Sequence, residues 1–193
     1  MLKRGFKAQS ERRSVEIRKK FGLQPDAPLS ARKVAAAYDI LVWTEADIAG
    51  VSDDDLVQLT VTDPDSWSAF TMRVGEKHLI VVNSSQSEPR QNSVIMHELS
   101  HILLGHELTS AGLTADGHFV PTSYNQDQED EADWLAGTLL LPRPALLKIR
   151  RSALTDHQAQ NSYQVSSQML TWRIRMTGVD YQLSNARRRR ARG

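Results

Sequence analysis

Cysteine is missing altogether from this 193-residue sequence. Disulfide bonds and thiolate metal ligands are therefore excluded, and any bound metal ion must be held by His, Asp or Glu side chains. Long apolar runs are missing too, because no stretch approaches the roughly 18 residues of a membrane span. The basic N-terminus has no apolar segment after it, so we expect no secretory signal, no membrane partner and a cytoplasmic location.

The composition that is present is ordinary for a globular protein, with 40% hydrophobic and 24% charged residues. The net charge of +1 conceals a strong segregation of charge. Residues 1–20 carry 8 basic and 2 acidic side chains, residues 44–133 carry 3 and 17, and residues 142–193 carry 11 and 2. An acidic middle suits a divalent cation. The Arg187–Arg190 run with Arg192 is interpreted as a solvated basic tail.

The most informative stretch is Val94–His106, which contains the pattern His-Glu-x-x-His. On a helix, residues four apart lie on the same face, so His97 and His101 can hold one Zn²⁺ between them. Glu98 can reach a water on that ion and accept its proton. A sequence of this length and composition is expected to contain only about 0.01 such patterns by chance. The pattern therefore predicts a metal site.

A two-histidine zinc site needs a third protein ligand, and a second helix rich in carboxylates is predicted at Glu129–Leu141. Glu131 points about 160° away from Glu129 on a helix, so only one of the two can bind the same ion. Asp133 would lie on the same face as Glu129 and could orient a ligand histidine. Which glutamate is the ligand stays open at this level.

A long polar loop is predicted between these helices, at Glu107–Gln128. A loop of this length beside a site is usually functional or disordered. His118 and Tyr124 are its candidate hydrogen-bond donors to the oxyanion that would form if a metal-bound water attacked a carbonyl group. His106 is interpreted as a residue of the helix end rather than as a ligand.

The hydrophobic pattern predicts an α+β fold, in which a small, mostly antiparallel sheet packs against the two site helices, with further N- and C-terminal helices. We expect a single domain over residues 1–193. Its predicted strands are Ile40–Trp43, Val57–Val61, Ser68–Val74 and Lys77–Val82. Its predicted parts are an N-terminal helical segment with the first strand (1–43), a catalytic core (57–142), C-terminal helices (143–178) and a basic tail (179–193).

Several separated segments together form a recognisable pattern: Lys3–Gln9, Ile80–Asn83 with Arg90, His97–His106, Glu129–Ala136, Leu140–Pro142 and Tyr163–Ser166. In this order they resemble the ImmA/IrrE family of metallo-endopeptidases. Three departures from the family pattern occur: Ser100 replaces a usual Gly, Leu135 replaces a usual Phe, and His106 comes one residue later than the family's histidine. None of them removes a ligand or the base.

The resemblance implies a zinc-dependent endopeptidase with one Zn²⁺ on His97, His101 and Glu129. Glu98 would be the general base, and Glu131 remains the alternative third ligand. The implied substrate is a protein, in particular a helix-turn-helix transcriptional repressor on a separate chain. Two other functions are weighed against this one. The first is a metal-binding regulator that controls a repressor by contact alone, and the second is direct nucleic-acid binding through the basic termini.

Overall fold

The computed structural model describes residues 2–107, 111–113, 119–121 and 125–190. In chain order its elements are α1 Phe6–Lys20, α2 Ala31–Ala37, β1 Leu41–Thr44, α3 Asp53–Val57, β2 Ala69–Val74, β3 Lys77–Val82, α4 Glu88–Leu104, β4 Ala111–Leu113, β5 Phe119–Pro121, α5 Gln126–Leu140, α6 Arg143–Arg151, α7 Asp156–Tyr163, α8 Ser167–Thr177 and α9 Val179–Arg190. Helix α4 packs against α5, α1 packs against α5, and the larger sheet lies along α4. The α+β class is thereby confirmed. Within the described ranges, no helix is both long and apolar enough to cross a membrane.

The larger sheet has three strands in the order β1-β3-β2. Strand β3 is central, and the run from Leu79 to Val82 is at most 2% exposed, as expected for a strand covered on both faces. Strand β2 pairs with β3 antiparallel, as predicted, but β1 pairs with it in parallel. The sheet is therefore mixed. The long connection through α3 and β2 returns the chain to the same end of the sheet, which a parallel pairing requires.

The prediction of a strand at Val57–Val61 is wrong, because this segment is helical. Helix α3 begins at a capping box in which the Ser52 hydroxyl accepts a hydrogen bond from the Asp55 amide. It continues into a π-helical turn at Gln58–Thr62. Val57 and Val61 are 51% and 70% exposed, so their alternation marks no buried sheet face. A short alternating run cannot by itself distinguish a strand from a helical turn.

Helix α5 carries Glu129, the candidate metal ligand, near its N-terminus. Two buried arginines fix its C-terminal end. Arg18 of α1 donates to the Leu139 carbonyl at 2.7 Å, and Arg173 of α8 donates to the Leu141 carbonyl at 3.1 Å. Carbonyls at a helix C-terminus have no partner within the helix, so these guanidinium groups satisfy them. Glu11 lies 2.9 Å from Arg173 and balances its charge. These two hydrogen bonds hold α5 in position against α1 and α8.

Two segments predicted to be irregular have regular structure. The expected loop at Glu107–Gln128 contains the antiparallel pair β4–β5, and α5 begins within its last residues. The expected basic tail begins with α9, and only its last three residues lie outside the described part of the chain. Val179 at the start of α9 is fully buried, and Asp180 lies 3.2 Å from Arg150 of α6. These contacts explain why the tail starts as a packed helix.

Candidate metal centre

Two histidines of α4 project from the side of the helix opposite its buried face. Ile95, Met96 and Leu99 are fully buried in the core. His97 and His101 lie one turn apart, and their Nε2 atoms are 3.1 Å from each other. Their side chains are 24% and 12% exposed, so water or a substrate can reach the pair.

The third member of the group comes from the first turn of α5. Glu129 extends one carboxylate oxygen to 3.2 Å from Nε2 of His97 and the other to 3.6 Å from Nε2 of His101. Among the described residues, these three side chains form the one group of three that could hold a metal ion. The packing of α4 against α5 therefore brings together the three residues that the sequence analysis proposed as ligands.

The spacing of the donor atoms fits a tetrahedral ion. Two ligand atoms that each lie 2.0–2.1 Å from a tetrahedral Zn²⁺ are roughly 3.3–3.4 Å apart. The two histidine Nε2 atoms are 3.1 Å apart, and each lies 3.2 or 3.6 Å from one of the two carboxylate oxygens of Glu129. Three protein ligands of the His₂Glu type leave the fourth position open, which is the arrangement of catalytic rather than structural zinc sites. The residues present fit a divalent metal ion.

Asp133, one turn after Glu129 on α5, fixes the orientation of His97. Its Oδ1 lies 2.9 Å from Nδ1 of His97, the ring nitrogen that faces away from the group. Burial lowers the pKa of His97, but the bond to Asp133 and the nearby carboxylates of Glu98 and Glu129 outweigh it, and the net shift is upward. A carboxylate on the outer nitrogen of a ligand histidine sets its tautomer and increases its basicity.

The pKa of His101 is lowered to about 4, first because the ring is buried and then because His97 and His106 repel a positive charge on it. The imidazole is consequently neutral near pH 7. Neutral imidazole is the form that binds a metal ion. The site is thus set up to bind a cation without first losing a proton from this ring.

The carboxylate of Glu98 lies close enough to interact with His97 and Glu129, and it is also hydrogen-bonded to the sheet. The hydroxyl of Thr71 on β2 donates a hydrogen bond of 2.6 Å to Oε2 of Glu98. Burial raises the pKa of Glu98 above its ordinary value, while the Thr71 bond and His97 act in the opposite direction. A carboxyl group with a raised pKa beside a metal site is suited to accepting and returning a proton.

Glu131, the alternative third ligand, does not join the group of His97, His101 and Glu129. Its carboxylate lies 3.2 Å from Nε2 of His106 and 3.1 Å from Nζ of Lys3. The nearly opposite directions of residues two apart on a helix account for this separation.

The comparison with protein families adds evidence that is independent of this geometry. Residues 55–175, more than half of the chain, match the model of the peptidase M78 family, described as the IrrE N-terminal-like domain. The chain belongs to the IrrE N-terminal-like family. The resemblance to ImmA/IrrE peptidases is thereby confirmed. A comparison with curated proteins gave no match.

Membership in the IrrE-like family supports a metallopeptidase-type function and implies a protein substrate. The matched region runs from α3 into α8 and includes the candidate ligands, Glu98 and Thr71. Helix α1 and the preceding Lys3 lie before it. This part of the chain nonetheless contacts α5, through Arg18 and through the pair of Lys3 with Glu131.

Two predicted site residues lie outside the described part of the chain, and three residues near the site make contacts that were not predicted. His118 and Tyr124, the candidate oxyanion donors, lie outside the described residues. Thr71 and Lys3 were missed, because no local pattern connects a strand threonine or an N-terminal lysine to a helix distant in sequence. The contact of His106 with His101 at 3.1 Å was missed as well, although its position five residues later could have suggested it.

Proposed function

We propose that this IrrE-like protein is a zinc-dependent endopeptidase that hydrolyses a peptide bond in a regulatory protein substrate. The observation that carries the proposal is the position of Glu98, a partly buried carboxylate that interacts with His97 and Glu129 and is oriented by Thr71. A metal site with a purely structural role has no use for such a base. Zinc is the proposed ion because a cysteine-free His₂Glu set with an open position is typical of zinc peptidases.

When bound, the ion supplies Lewis-acid chemistry, in that it polarises a carbonyl oxygen and lowers the pKa of a water molecule. Glu98 accepts the proton of the attacking water and passes it to the leaving amine. Its raised pKa makes the carboxylate a stronger base for the first transfer. The second transfer is favourable because an amine is much more basic than a carboxylate. Asp133 keeps Nε2 of His97 directed into the site throughout.

The substrate is proposed to bind in extended form along β2. In the described structure β2 pairs on one side only, with β3, so its outer edge is available for backbone hydrogen bonds with a peptide. The same strand contacts Glu98 through Thr71, which brings the edge next to the catalytic group. Phe70 and Met72 are each 43% exposed on the face opposite Thr71. They offer apolar contacts to a peptide that reaches around this edge.

The proposed substrate is a helix-turn-helix repressor on a separate chain, and family membership is what supports it. The competing proposal is a metal-binding regulator that displaces such a repressor by contact without cutting it. The two differ in their dependence on Glu98. A contact regulator needs the fold and the metal, whereas a peptidase also needs the base.

The test combines the purified chain, zinc and the helix-turn-helix repressor encoded nearest to it, with fragments detected by mass spectrometry. Glu98→Gln should reduce cleavage by about 10²- to 10⁴-fold, the usual contribution of a general base. Zinc content should match that of the unmodified chain. Release of DNA by the repressor without any fragment, equally with both chains, would favour the contact regulator.

A further inference from the structure

A line of buried polar contacts leads from the metal group to the N-terminus. Nδ1 of His101 lies 3.1 Å from Nδ1 of His106, and Nε2 of His106 lies 3.2 Å from Oε2 of Glu131. The other oxygen of Glu131 lies 3.1 Å from Nζ of Lys3. The side chains of His106 and Glu131 are both 7% exposed, whereas that of Lys3 is 81% exposed. Only the last member of the line meets water freely.

A metal ion held by Nε2 of His101 would fix the direction of every hydrogen bond in this line. The proton of His101 would then be on Nδ1, which donates to Nδ1 of His106. Because Nδ1 of His106 accepts this bond, its Nε2 is the nitrogen that donates to the Glu131 carboxylate. Lys3 supplies the positive charge that this buried carboxylate requires. Each donor meets an acceptor, and the charges of Glu131 and Lys3 cancel.

Three of the acidic residues of α5 contribute to the centre, each in a different way. Glu129 belongs to the donor group, and Asp133 bonds directly to the outer nitrogen of His97. Glu131 points to the other side and reaches the outer nitrogen of His101 through His106. Each candidate ligand histidine therefore has its own carboxylate, one by direct contact and one through an inserted imidazole. If Glu131 and Lys3 were an ion pair that only stabilised the fold, it would not need to be connected to a candidate metal ligand.

We infer that His106, Glu131 and Lys3 are positioning residues, which hold His101 in the tautomer and orientation that bind the metal ion. The inference rests on the proposed metal-dependent function and extends it to the N-terminal segment. Lys3 precedes the region matched to the IrrE-like family. Residues before the peptidase region thus complete the support of its metal centre.

Zinc affinity tests this inference without any need for proteolysis. It can be measured by competition with a chromophoric chelator. His106→Leu removes the acceptor for His101 and should weaken zinc binding by about 10- to 100-fold, the usual effect of losing a partner of a ligand. His106→Gln should restore most of the affinity, because its amide can accept from His101 and donate to Glu131. Glu131→Gln should give an intermediate loss, because it keeps an oxygen acceptor without the charge.

The N-terminal end of the line has its own matched pair of variants. Lys3→Met removes the ammonium group and should weaken zinc binding several-fold, by about 2- to 10-fold, at the lower end of such effects. Arg4→Met removes a neighbouring exposed charge and should leave the affinity unchanged. Both side chains are exposed, so neither change is expected to unfold the chain.

Two further readouts separate positioning from general stability. The visible absorption of the Co²⁺-substituted protein should shift in His106→Leu and return in His106→Gln, because it reports the ligand geometry. The metal-free melting temperature of each variant shows any loss of folding. Unchanged zinc affinity and an unchanged Co²⁺ spectrum in His106→Leu would overturn the inference, whatever the melting temperature. Normal zinc binding without peptide cleavage would instead refute the proposed function and leave the positioning result intact.

Discussion

The hydroxyl of Thr71 donates a 2.6 Å hydrogen bond to Glu98 and thereby connects the edge strand of the sheet to the proposed catalytic base. The two residues are far apart in the sequence, on β2 and α4. Because the proposed substrate edge and the base share this contact, a peptide aligned on β2 would meet Glu98 in a fixed orientation.

Thr71→Val keeps the shape of the side chain but removes this donor. A hydrogen bond to a charged group contributes about 1.5–3 kcal/mol, so kcat should fall by about 10- to 100-fold. Thr71→Ser retains the hydroxyl and should keep most of the activity. Zinc content should be the same in both variants. Equal kcat values for Thr71→Val and the unmodified chain would show that Glu98 does not depend on this contact.

Asp133 is expected to act on metal binding through His97 rather than on folding. Its side chain is 67% exposed and lies 2.9 Å from Nδ1 of His97. Asp133→Ala should weaken zinc binding by about 10- to 100-fold, and Asp133→Asn should weaken it less. Asp130→Ala, on the same helix, is the matched control. An equal loss with both alanine variants would point to the overall negative charge of α5 instead.

Removal of the metal is expected to destabilise the fold, because the ion would join α4 to α5. Zinc at about 100 times its dissociation constant should add about 2.7 kcal/mol to the free energy of unfolding. The melting temperature should therefore fall when a chelator is added and recover with excess zinc. His97→Ala should show no such dependence. A zinc-dependent shift that persists in His97→Ala would place the ion at another site.

Gly137 allows the close approach of α5 and α8. A Cβ at this position would lie 2.5 Å from Cζ3 of Trp172 and 2.9 Å from Cδ of Arg173. Gly137→Ala should therefore lower the free energy of unfolding by about 1–3 kcal/mol, measured by denaturant titration. Trp172→Leu should recover part of that loss in the double variant. A neutral or stabilising effect of Gly137→Ala would mean that α8 can move away without cost.

The features that sequence could predict are those that depend on residues close together in the chain. Four-residue spacing on a helix is enough to bring His97 and His101 together, and the same rule relates Glu129 to Asp133. The near-continuous apolar run of β3 likewise indicates a strand, although its central place in the sheet follows only from the structure. The parallel pairing of β1 could not be read in this way, because it depends on the path of a long connection.

The features that sequence could not predict depend on packing between distant elements. The bond from Thr71 to Glu98 and the pair of Lys3 with Glu131 join residues 27 and 128 positions apart. Glu131 illustrates the difference. Helical geometry correctly indicated that it diverges from Glu129, but only the packing of α5 against α4 and the N-terminal segment gives it His106 and Lys3 as partners. At Val57–Val61 a local capping box overrode an alternating pattern.

A catalytic zinc centre on His97, His101 and Glu129 can be tested by elemental analysis of the purified chain and two variants. We expect about one zinc per chain, retained in Glu131→Gln when zinc is in excess and lost in Glu129→Ala. Zinc that is retained in Glu129→Ala, or that fails to bind the unmodified chain even when supplied in excess, would contradict this assignment.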